Sequence, residues 1–330
     1  MSTNPNRILI VAYRRIGDLI LATPLLSAIR QKYPKSEITL LVRNYVYPFA
    51  QMITTVDKIA YVPKLNGGCN PKSFIFNFLF KKFDLCIDIT FGDYKHPAQY
   101  TKLSGAKTKI GFLKHKYKNY YTEMVQDTHE THHILDAYKN MAKYLKAKYE
   151  YENFGLKISP TNQQKAQQAF EDLKIDKTKF KILIHPGNFN WTGKRWGEDK
   201  LLELTKKLAN QKNVEIIYLF GPNEEKKAEI FIHKLNQISH NIKFFSGHNI
   251  ETVSAFLQKM DMLFVFSTSI MHLGYVFNVP ILCLLDIQDS KTWKPYKNPK
   301  GKELISKQML SVSDIEVEKV WQTLKEIARI

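Results

Sequence analysis

Short apolar runs alternate with segments of helical periodicity from the start of the chain. The first run, Arg7 to Tyr13, has the apolar, β-branched character of a buried strand. Apolar residues then recur at helical spacing from Leu19 to Tyr33, Pro34 closes this helix, and a second apolar run follows at Glu37–Arg43. A β–α–β opening of this length predicts parallel strands joined by a right-handed crossover.

The same alternation continues to the end of the chain. Further strands are predicted at Lys58–Val62, Asp84–Ile89, Lys109–Phe112, Lys181–His185, Val214–Phe220, Ile242–Phe245, Met262–Phe266 and Pro280–Leu284. Helices are predicted at Pro71–Phe83, His129–Lys148, Thr161–Leu173, Glu198–Asn210, Asn223–Gln237, Ile250–Lys259, Ser269–Phe277 and Ser313–Arg329.

Two successive alternating units predict an α/β protein with two Rossmann-like, doubly wound parallel-sheet domains that face each other across a cleft. We place the first domain at residues 1–155 and the second at 156–330, and we leave open whether the last helix packs back on the first. Ligands of such sheets bind outside the carboxyl ends of the strands. Four loops follow predicted strands and are candidates for a ligand site: residues 14–18, 186–195, 220–225 and 267–272.

The composition is that of a folded, basic protein. Of its 330 residues 44% are hydrophobic and 24% charged, and 49 Lys and Arg against 31 Asp and Glu give a net charge of +18. Such a charge attracts nucleic acid, anionic membranes or phosphorylated substrates. The lysines are spread along the chain, without zinc-finger spacing, an RNP motif or a basic tail. We therefore expect no nucleic-acid partner, and keep a charge-driven nucleic-acid binder as an alternative of a different class.

The cysteines and the apolar runs indicate a compartment. Cys69, Cys86 and Cys283 show no paired spacing, which favours a reducing environment over a disulfide framework or a structural zinc site. The first residues do not resemble a signal peptide, and the apolar run Phe74–Phe80 is too short to span a bilayer. We expect a cytoplasmic protein that contacts the inner face of the inner membrane peripherally.

The segment Ile182 to Trp196, ILIHPGNFNWTGKRW, has the features of a phosphate-binding loop. A strand ends in a turn that contains Gly187, and Lys194 and Arg195 precede the next helix. Free backbone N–H groups and the positive end of a helix favour anions, and Lys194 adds a full charge. The alternative is an ordinary β–α loop with solvated cations.

Asp18 follows Gly17 at the start of a predicted helix. It is a candidate general base, because a carboxylate at a strand end can take a proton from an acceptor hydroxyl. The alternative is a helix N-cap. Arg14 and Arg15 are candidates for holding an anionic acceptor, or are solvated, and Gly17 is a candidate acceptor-binding residue beside them.

Ser267, Thr268 and Ser269 end a strand at a helix start, where hydroxyl and N–H groups suit phosphate or sugar oxygens. Capping by Ser267 or Thr268 explains them equally well. His272 lies one turn further on and is either a site residue or structural.

Glu224 and Glu225 occupy another strand-to-helix turn. They complement the helix dipole or bind ribose hydroxyls. The chain lacks a P-loop motif, a GxGxxG after the first strand, an Asp-x-Asp pair and a GxSxG motif. These absences exclude a P-loop enzyme and weaken the case for a dinucleotide-dependent oxidoreductase. They also leave no obvious motif that would bind a metal–diphosphate complex.

Taken in order, three segments resemble the heptosyltransferases of glycosyltransferase family 9. They are RILIVAYRRIGDLILATPLLSAIRQKYP, HPGNFNWTGKRW and GHNIETVSAFLQKMDMLFVFSTSIMHLGYVFNVPILCLL, and the resemblance spans about Arg7 to Leu285. It implies a GT-B fold with an acceptor-binding first domain and a nucleotide-sugar-binding second domain. It also implies inverting transfer of heptose from ADP-heptose to the lipopolysaccharide inner core, with no metal and no cofactor.

Carried over by position, Asp18 matches the catalytic base and Lys194 the lysine on the donor phosphates. Glu224, with Glu225 as the second choice, matches the acid on the ribose, and Thr268, Ser269 and His272 fall in the donor block. The family usually has Asp-Thr-Gly where this chain has Ser267-Thr268-Ser269. A donor carrying a different sugar, and a non-catalytic relative that binds nucleotide or glycolipid, are therefore the alternatives.

Overall fold

The computed structural model describes residues 5–62, 64–65, 68–69, 83–113, 115–187, 196–222, 224–296 and 300–329, with the backbone alone at 64–65, 68–69 and 225. Its strands are β1 (Arg7–Ala12), β2 (Glu37–Arg43), β3 (Lys58–Val62), β4 (Lys64–Leu65), β5 (Gly68–Cys69), β6 (Leu85–Asp88), β7 (Thr108–Phe112), β8 (Glu123–Val125), β9 (Phe180–Ile184), β10 (Val214–Leu219), β11 (Lys243–Phe245), β12 (Met262–Phe266), β13 (Ile281–Leu285) and β14 (Lys302–Ile305). Its α-helices are α1 (Ile16–Lys32), α2 (Tyr47–Ala50), α3 (Lys95–Leu103), α4 (Ile134–Tyr144), α5 (Pro160–Asp172), α6 (Glu198–Ala209), α7 (Glu225–Ile238), α8 (Ile250–Leu257), α9 (Ser269–Val276), α10 (Asp289–Thr292) and α11 (Val317–Ala328).

The chain divides into two compact units, Met1–Lys157 and Ile158–Ile330. Each unit contains a six-stranded sheet, in the order β3-β2-β1-β6-β7-β8 in the first and β11-β10-β9-β12-β13-β14 in the second. Every neighbouring pair within these two sheets is parallel. The prediction of an α/β protein with two doubly wound parallel sheets is confirmed.

The central strands are buried because helices cover both faces of a parallel sheet. In β1 the residues from Ile8 to Val11 are fully buried, and β1 pairs with β2 on one side and β6 on the other. Helix α4 packs on α1, and the Tyr138 hydroxyl donates to the backbone carbonyl of Asp18 at 3.3 Å. The helix that follows β1 is therefore anchored by both the sheet and α4.

Helix α1 contains a proline, Pro24, that has no N–H to offer the carbonyl of Ile20. The hydroxyl of Thr23 donates to that carbonyl at 2.8 Å instead. Thr23 is fully buried, so this hydrogen bond satisfies a carbonyl that the proline leaves without its usual helical donor.

The last helix, α11, packs on α6 and β14 of the second unit. Val320 and Leu324 are fully buried in the same core as the strands of that sheet. The indole N–H of Trp196 donates to the carbonyl of Ile315 at 2.7 Å, so the segment before α11 is tied to the segment before α6.

Some predicted elements need correction. The helix predicted at His129–Lys148 is shorter, because His133 caps it by accepting from the Leu135 N–H at 3.2 Å and Lys146 has left-handed backbone at φ 55°. Helix α1 begins at Ile16, before the predicted start. Strands β4, β5, β8 and β14, and the helices α2 and α10, were not predicted. The helix predicted at Pro71–Phe83 lies outside the described residues except for Phe83.

Candidate active site

The strand order of each sheet reverses between two neighbouring strands, β1 and β6 in the first unit and β9 and β12 in the second. The loops that leave the sheet on either side of such a reversal diverge and form the usual ligand crevice. Residues 14–18 follow β1, residues 186–195 follow β9, and residues 267–272 follow β12. The loop at 220–225 follows β10, which pairs with β9. The predicted donor loops therefore leave three adjacent strands.

Asp18 lies in the first turn of α1 and only 7% of it is exposed. The N-cap of this helix is Arg15, so the interpretation of Asp18 as the N-cap is wrong. One carboxylate oxygen accepts from the backbone N–H of Arg15 and the other from the Arg14 Nε, each at 3.3 Å. These bonds fix the orientation of the carboxylate at the carboxyl end of β1.

Arg14 is itself held by aromatic side chains. Its guanidinium lies 4.9 Å from the centre of the Tyr94 ring, and the Tyr45 hydroxyl donates to its carbonyl at 3.4 Å. Burial lowers the pKa of Arg14, but the Asp18 carboxylate and Tyr94 outweigh that effect and raise it. Arg14 is thus a permanent cation beside Asp18.

Arg15 is more exposed than Arg14. Its side chain is exposed, and its guanidinium makes no ion pair within the described part of the chain. Gly17 lies between Ile16 and Asp18 in the first helical turn and is half-buried. The acceptor-binding role of Arg14 and Arg15 stays a prediction, with which their positions are compatible.

The end of β9 is polar and buried. His185 is 6% exposed and its Nδ1 lies 3.2 Å from the carbonyl oxygen of Leu219. Burial lowers the pKa of His185, opposed by the Leu219 carbonyl and the Glu224 carboxylate. A neutral imidazole that donates from Nδ1 fits this geometry. Gly187 follows with left-handed backbone at φ 92°.

Lys194 and Arg195 lie outside the described residues, so their predicted contact with donor phosphates stays a prediction. The chain is described again from Trp196, which is buried and packs edge-on to Phe264 of β12 at 5.9 Å between ring centres. Gly197, with φ 104°, is the N-cap of α6.

Glu224 is the N-cap of α7 and is buried. Its Oε2 accepts from the Gly221 N–H at 2.7 Å, which folds the side chain back over the turn. A side chain at Gly221 would meet the same oxygen, since a Cβ there would lie 2.9 Å from it. One oxygen of Glu224 thus has a structural role in the turn, and the side chain of Glu225 is not described.

Thr268 is the N-cap of α9, but its side chain does not cap the helix. Its Oγ1 is buried and has no hydrogen-bond partner among the described residues, so the capping interpretation of Thr268 is wrong. Ser267 and Ser269, on either side, are half-buried. His272 is buried, with its ring centre 6.2 Å from that of Trp293.

Three side chains near Asp18 were missed at the sequence level. Tyr94 follows β6, and Arg43 and Tyr45 end or follow β2. Their only signal was a position at the end of a strand, because no motif contains them and the sheet order brings them to β1.

Among the described residues, no group of three or more His, Cys, Asp or Glu side chains is placed to hold a metal ion. Within the same residues, no helix combines the length and the apolar character needed to cross a membrane.

Solved structures share this fold over their whole length. A glycosyltransferase family 9 protein of Veillonella parvula superposes with a TM-score of 0.85 at 18% identity, covering 100% of this chain and 99% of that one. The E. coli ADP-heptose lipopolysaccharide heptosyltransferase II superposes with a TM-score of 0.77 at 14% identity, covering 98% of each. The two sheets therefore have the GT-B fold.

A family model described as glycosyltransferase family 9 (heptosyltransferase) matches residues 79–316. The lipopolysaccharide core heptosyltransferase OpsX of Haemophilus influenzae is 22% identical over 301 residues, covering 89% of this chain and 83% of the relative. The chain belongs to glycosyltransferase family 9 and is a heptosyltransferase-like glycosyltransferase.

Proposed function

We propose that the chain transfers heptose from ADP-heptose to the lipopolysaccharide inner core, with inversion at the anomeric carbon and without a metal. The observation that carries the proposal is the buried carboxylate of Asp18, held by Arg14 and the Arg15 N–H at the end of β1. The similarity to the lipopolysaccharide core heptosyltransferase OpsX supports the acceptor, and the similarity to the E. coli ADP-heptose lipopolysaccharide heptosyltransferase II supports the donor.

In this mechanism Asp18 accepts the proton of the acceptor hydroxyl. The hydroxyl oxygen bonds to the anomeric carbon as the bond from that carbon to the phosphate oxygen breaks on the opposite face. ADP leaves with the electron pair. Arg14 fixes the direction of the carboxylate, so the base is oriented before the acceptor binds.

The donor lies at the carboxyl ends of β9, β10 and β12 in this proposal. Lys194 and Arg195 neutralise the charge that develops on the leaving diphosphate, and the backbone N–H groups at Gly187 and Ser269 add to this stabilisation. The buried Thr268 hydroxyl, which lacks a protein partner among the described residues, donates to a phosphate or sugar oxygen.

Glu224, or Glu225 in its place, accepts from the ribose hydroxyls. One oxygen of Glu224 accepts from the Gly221 N–H, so the side chain already lies at the turn after β10 where the ribose would bind. Ser267 and His272 complete the donor side.

The acceptor is an anionic glycolipid, and Arg14 and Arg15 supply the cations nearest to the base. A net charge of +18 suits a protein that works on the inner face of the inner membrane through peripheral contact. We propose a cytoplasmic location for this reason, and no nucleic-acid partner.

A second candidate is the transfer of a different sugar from another nucleotide-sugar by the same mechanism. Ser267 favours it, because it stands where the family usually has an aspartate. A serine keeps a hydrogen-bonding group but is shorter and uncharged, so a different pattern of sugar hydroxyls could be selected.

A mass-spectrometric transfer assay tests both candidates. The purified chain is incubated with a panel of nucleotide-sugars and core-deficient glycolipid acceptors, with and without EDTA. We expect a heptose mass increment with ADP-heptose that EDTA leaves unchanged. Transfer of another sugar in preference to heptose would establish the second candidate, and loss of transfer with EDTA would refute metal independence.

A further inference from the structure

Arg43 ends β2 with its guanidinium packed between two tyrosines. The guanidinium carbon lies 5.6 Å from the ring centre of Tyr13 and 5.0 Å from that of Tyr45. Stacking on aromatic faces restrains the plane of a guanidinium and leaves its edge N–H groups available. The side chain is half-buried, so this orientation is set by the protein rather than by solvent.

Three of the other four arginines described in this unit neutralise a carboxylate, and the fourth, Arg15, is exposed. Arg7 pairs with Glu37, Arg14 with Asp18 and Arg30 with Asp57. Arg43 makes no ion pair or hydrogen bond to any of the described residues. Its positive charge is therefore uncompensated within the part of the chain that the structure describes, although two rings restrain its side chain, which is unusual for a cation that serves only the fold.

Arg43 also lies beside the loop that contains Asp18. Strands β1 and β2 pair in register at Ala12 and Val42, so the residues that follow, Tyr13 and Arg43, leave the sheet side by side. The Tyr45 hydroxyl bonds to the Arg14 carbonyl, which ties the exit of β2 to the turn after β1.

The electrostatics of Tyr45 place the same charges around one phenol. Burial raises the pKa of Tyr45, the guanidinium groups of Arg43 and Arg15 act to lower it, and the carboxylate of Asp18 acts to raise it. Arg43, Arg15 and Arg14 thus share a neighbourhood in which Asp18 is the acid.

We propose that Arg43 binds an oxyanion of the acceptor, a carboxylate or a phosphate, and so positions the attacking hydroxyl over Asp18. A restrained guanidinium presents two parallel N–H donors, which match either group in a bidentate fashion. The assignment rests on the proposed function, since it deepens the acceptor side of the same site. It adds a residue from β2 to a site otherwise built from the β1 loop.

The test compares Arg43→Gln and Arg43→Lys with a matched control, Arg7→Gln. Arg7 begins β1, at the end of that strand opposite to the Asp18 loop, and also lies over an aromatic ring, that of Phe83 at 5.9 Å. The control removes the same charge and a similar stacking contact away from the Asp18 loop, and in addition the ion pair with Glu37. Thermal unfolding of each variant shows which of them fold as the wild type does.

We expect Arg43→Gln to raise the acceptor KM about tenfold or more, because a charge-assisted bidentate contact is lost. Arg43→Lys keeps the charge but not the planar pair of donors, so its acceptor KM lies between that of the wild type and that of Arg43→Gln. The donor KM and the affinity for ADP stay at wild-type values. Arg7→Gln leaves the acceptor KM unchanged.

Modified acceptors identify the anion. Two modified acceptors are compared, one with esterified carboxylates and one without phosphates. The acceptor that lacks the group bound by Arg43 has a higher KM with the wild type. The same modification adds no further loss in Arg43→Gln. An acceptor KM that changes less than about twofold in Arg43→Gln, or a donor affinity that falls in parallel, overturns the proposal.

Direct calorimetric binding of the anionic acceptor separates this inference from the proposed function. If the wild type transfers no sugar but binds the acceptor in a manner that depends on Arg43, the proposed reaction fails and the inference stands. If transfer is normal and the affinity for the acceptor is the same in the wild type and in Arg43→Gln, the inference fails and the proposed reaction stands.

Discussion

The carboxylate of Asp18 is held by two hydrogen bonds and is almost fully buried, so its charge can be removed with little change in shape. Asp18→Asn keeps an oxygen for the Arg15 N–H but provides no base. We expect kcat to fall by about 10²–10⁴-fold, the usual contribution of a positioned base. Steady-state transfer kinetics measure this loss, and calorimetry with ADP should give the wild-type affinity.

Asp93→Asn is the matched control for this variant. Asp93 also follows a strand of the first sheet, and its carboxylate accepts from the Lys116 N–H rather than from the Asp18 loop. The control is expected to turn over normally. Wild-type kcat in Asp18→Asn would remove Asp18 from the role of base.

The buried His185 makes stability depend on pH. Its pKa is lowered by burial from the ordinary 6.5, so the unfolded chain binds the imidazole proton more tightly than the folded protein. The penalty is absent above pH 6.5 and grows as the pH falls from there toward the lowered pKa. We expect the melting temperature to fall with acidification across this range.

His185→Asn tests the assignment, because its amide can still donate to the Leu219 carbonyl but does not titrate. The melting temperature of the variant should vary less with pH than that of the wild type below pH 6.5. Parallel curves for the two proteins would show that another group, such as His248, whose pKa burial also lowers, is responsible.

At the scale of residues, the sequence identified the groups that belong to a motif. Asp18, Glu224 and Thr268 could be named because each sits in a recognisable strand-to-helix turn. Tyr45, Tyr94 and Arg43 could not, because they reach the Asp18 loop only through the order of β2, β1 and β6 in the sheet. The hydrogen bond that the Gly221 N–H donates to Glu224 could not be predicted, because it depends on a side-chain rotamer that the spacing of residues in the sequence does not specify.

At the scale of elements, α1 shows how a helix accommodates a proline. The Thr23 hydroxyl occupies the Ile20 carbonyl that Pro24 cannot reach with an N–H. Thr23→Val removes the donor with almost no change in volume. We expect a loss of about 1–3 kcal/mol in the free energy of unfolding, the cost of an unsatisfied buried carbonyl.

Pro24→Ala restores an N–H that can donate to the Ile20 carbonyl, and it is the second substitution of a double-mutant cycle with Thr23→Val. The Thr23→Val/Pro24→Ala double variant should recover most of the stability lost in Thr23→Val, which chemical denaturation can measure as a double-mutant cycle. Equal losses from Thr23→Val in both backgrounds would mean that the hydroxyl does not compensate for the proline.

The elements that the sequence predicted well are the central ones. Strands β1, β9 and β12 are continuous apolar runs because both of their faces are covered. In the two six-stranded sheets the strands that were missed, β8 and β14, are the last in each sheet and have three and four residues. Short edge strands have mixed polarity, and only pairing with a neighbour distinguishes them from loops.

At the scale of the whole molecule, the net charge of +18 governs encounters with anionic surfaces. We expect the protein to sediment with vesicles that contain phosphatidylglycerol. The fraction that sediments should fall severalfold as the salt concentration rises from about 50 to about 300 mM, because salt screens surface charges. Vesicles of phosphatidylcholine alone are the control. Retention that is independent of salt would point to apolar insertion instead.

The strand order of the two sheets is the same, with the third strand at one edge and the sixth at the other. Each copy of this plan closes its own core, as the burial of Val11 in one and Phe264 in the other illustrates. A lineage can therefore vary the loops at the strand ends of one half while the framework of the other is inherited unchanged. Position 267 belongs to the second unit and position 43 to the first, so under the proposed function a substitution at one alters the donor side and a substitution at the other alters the acceptor side.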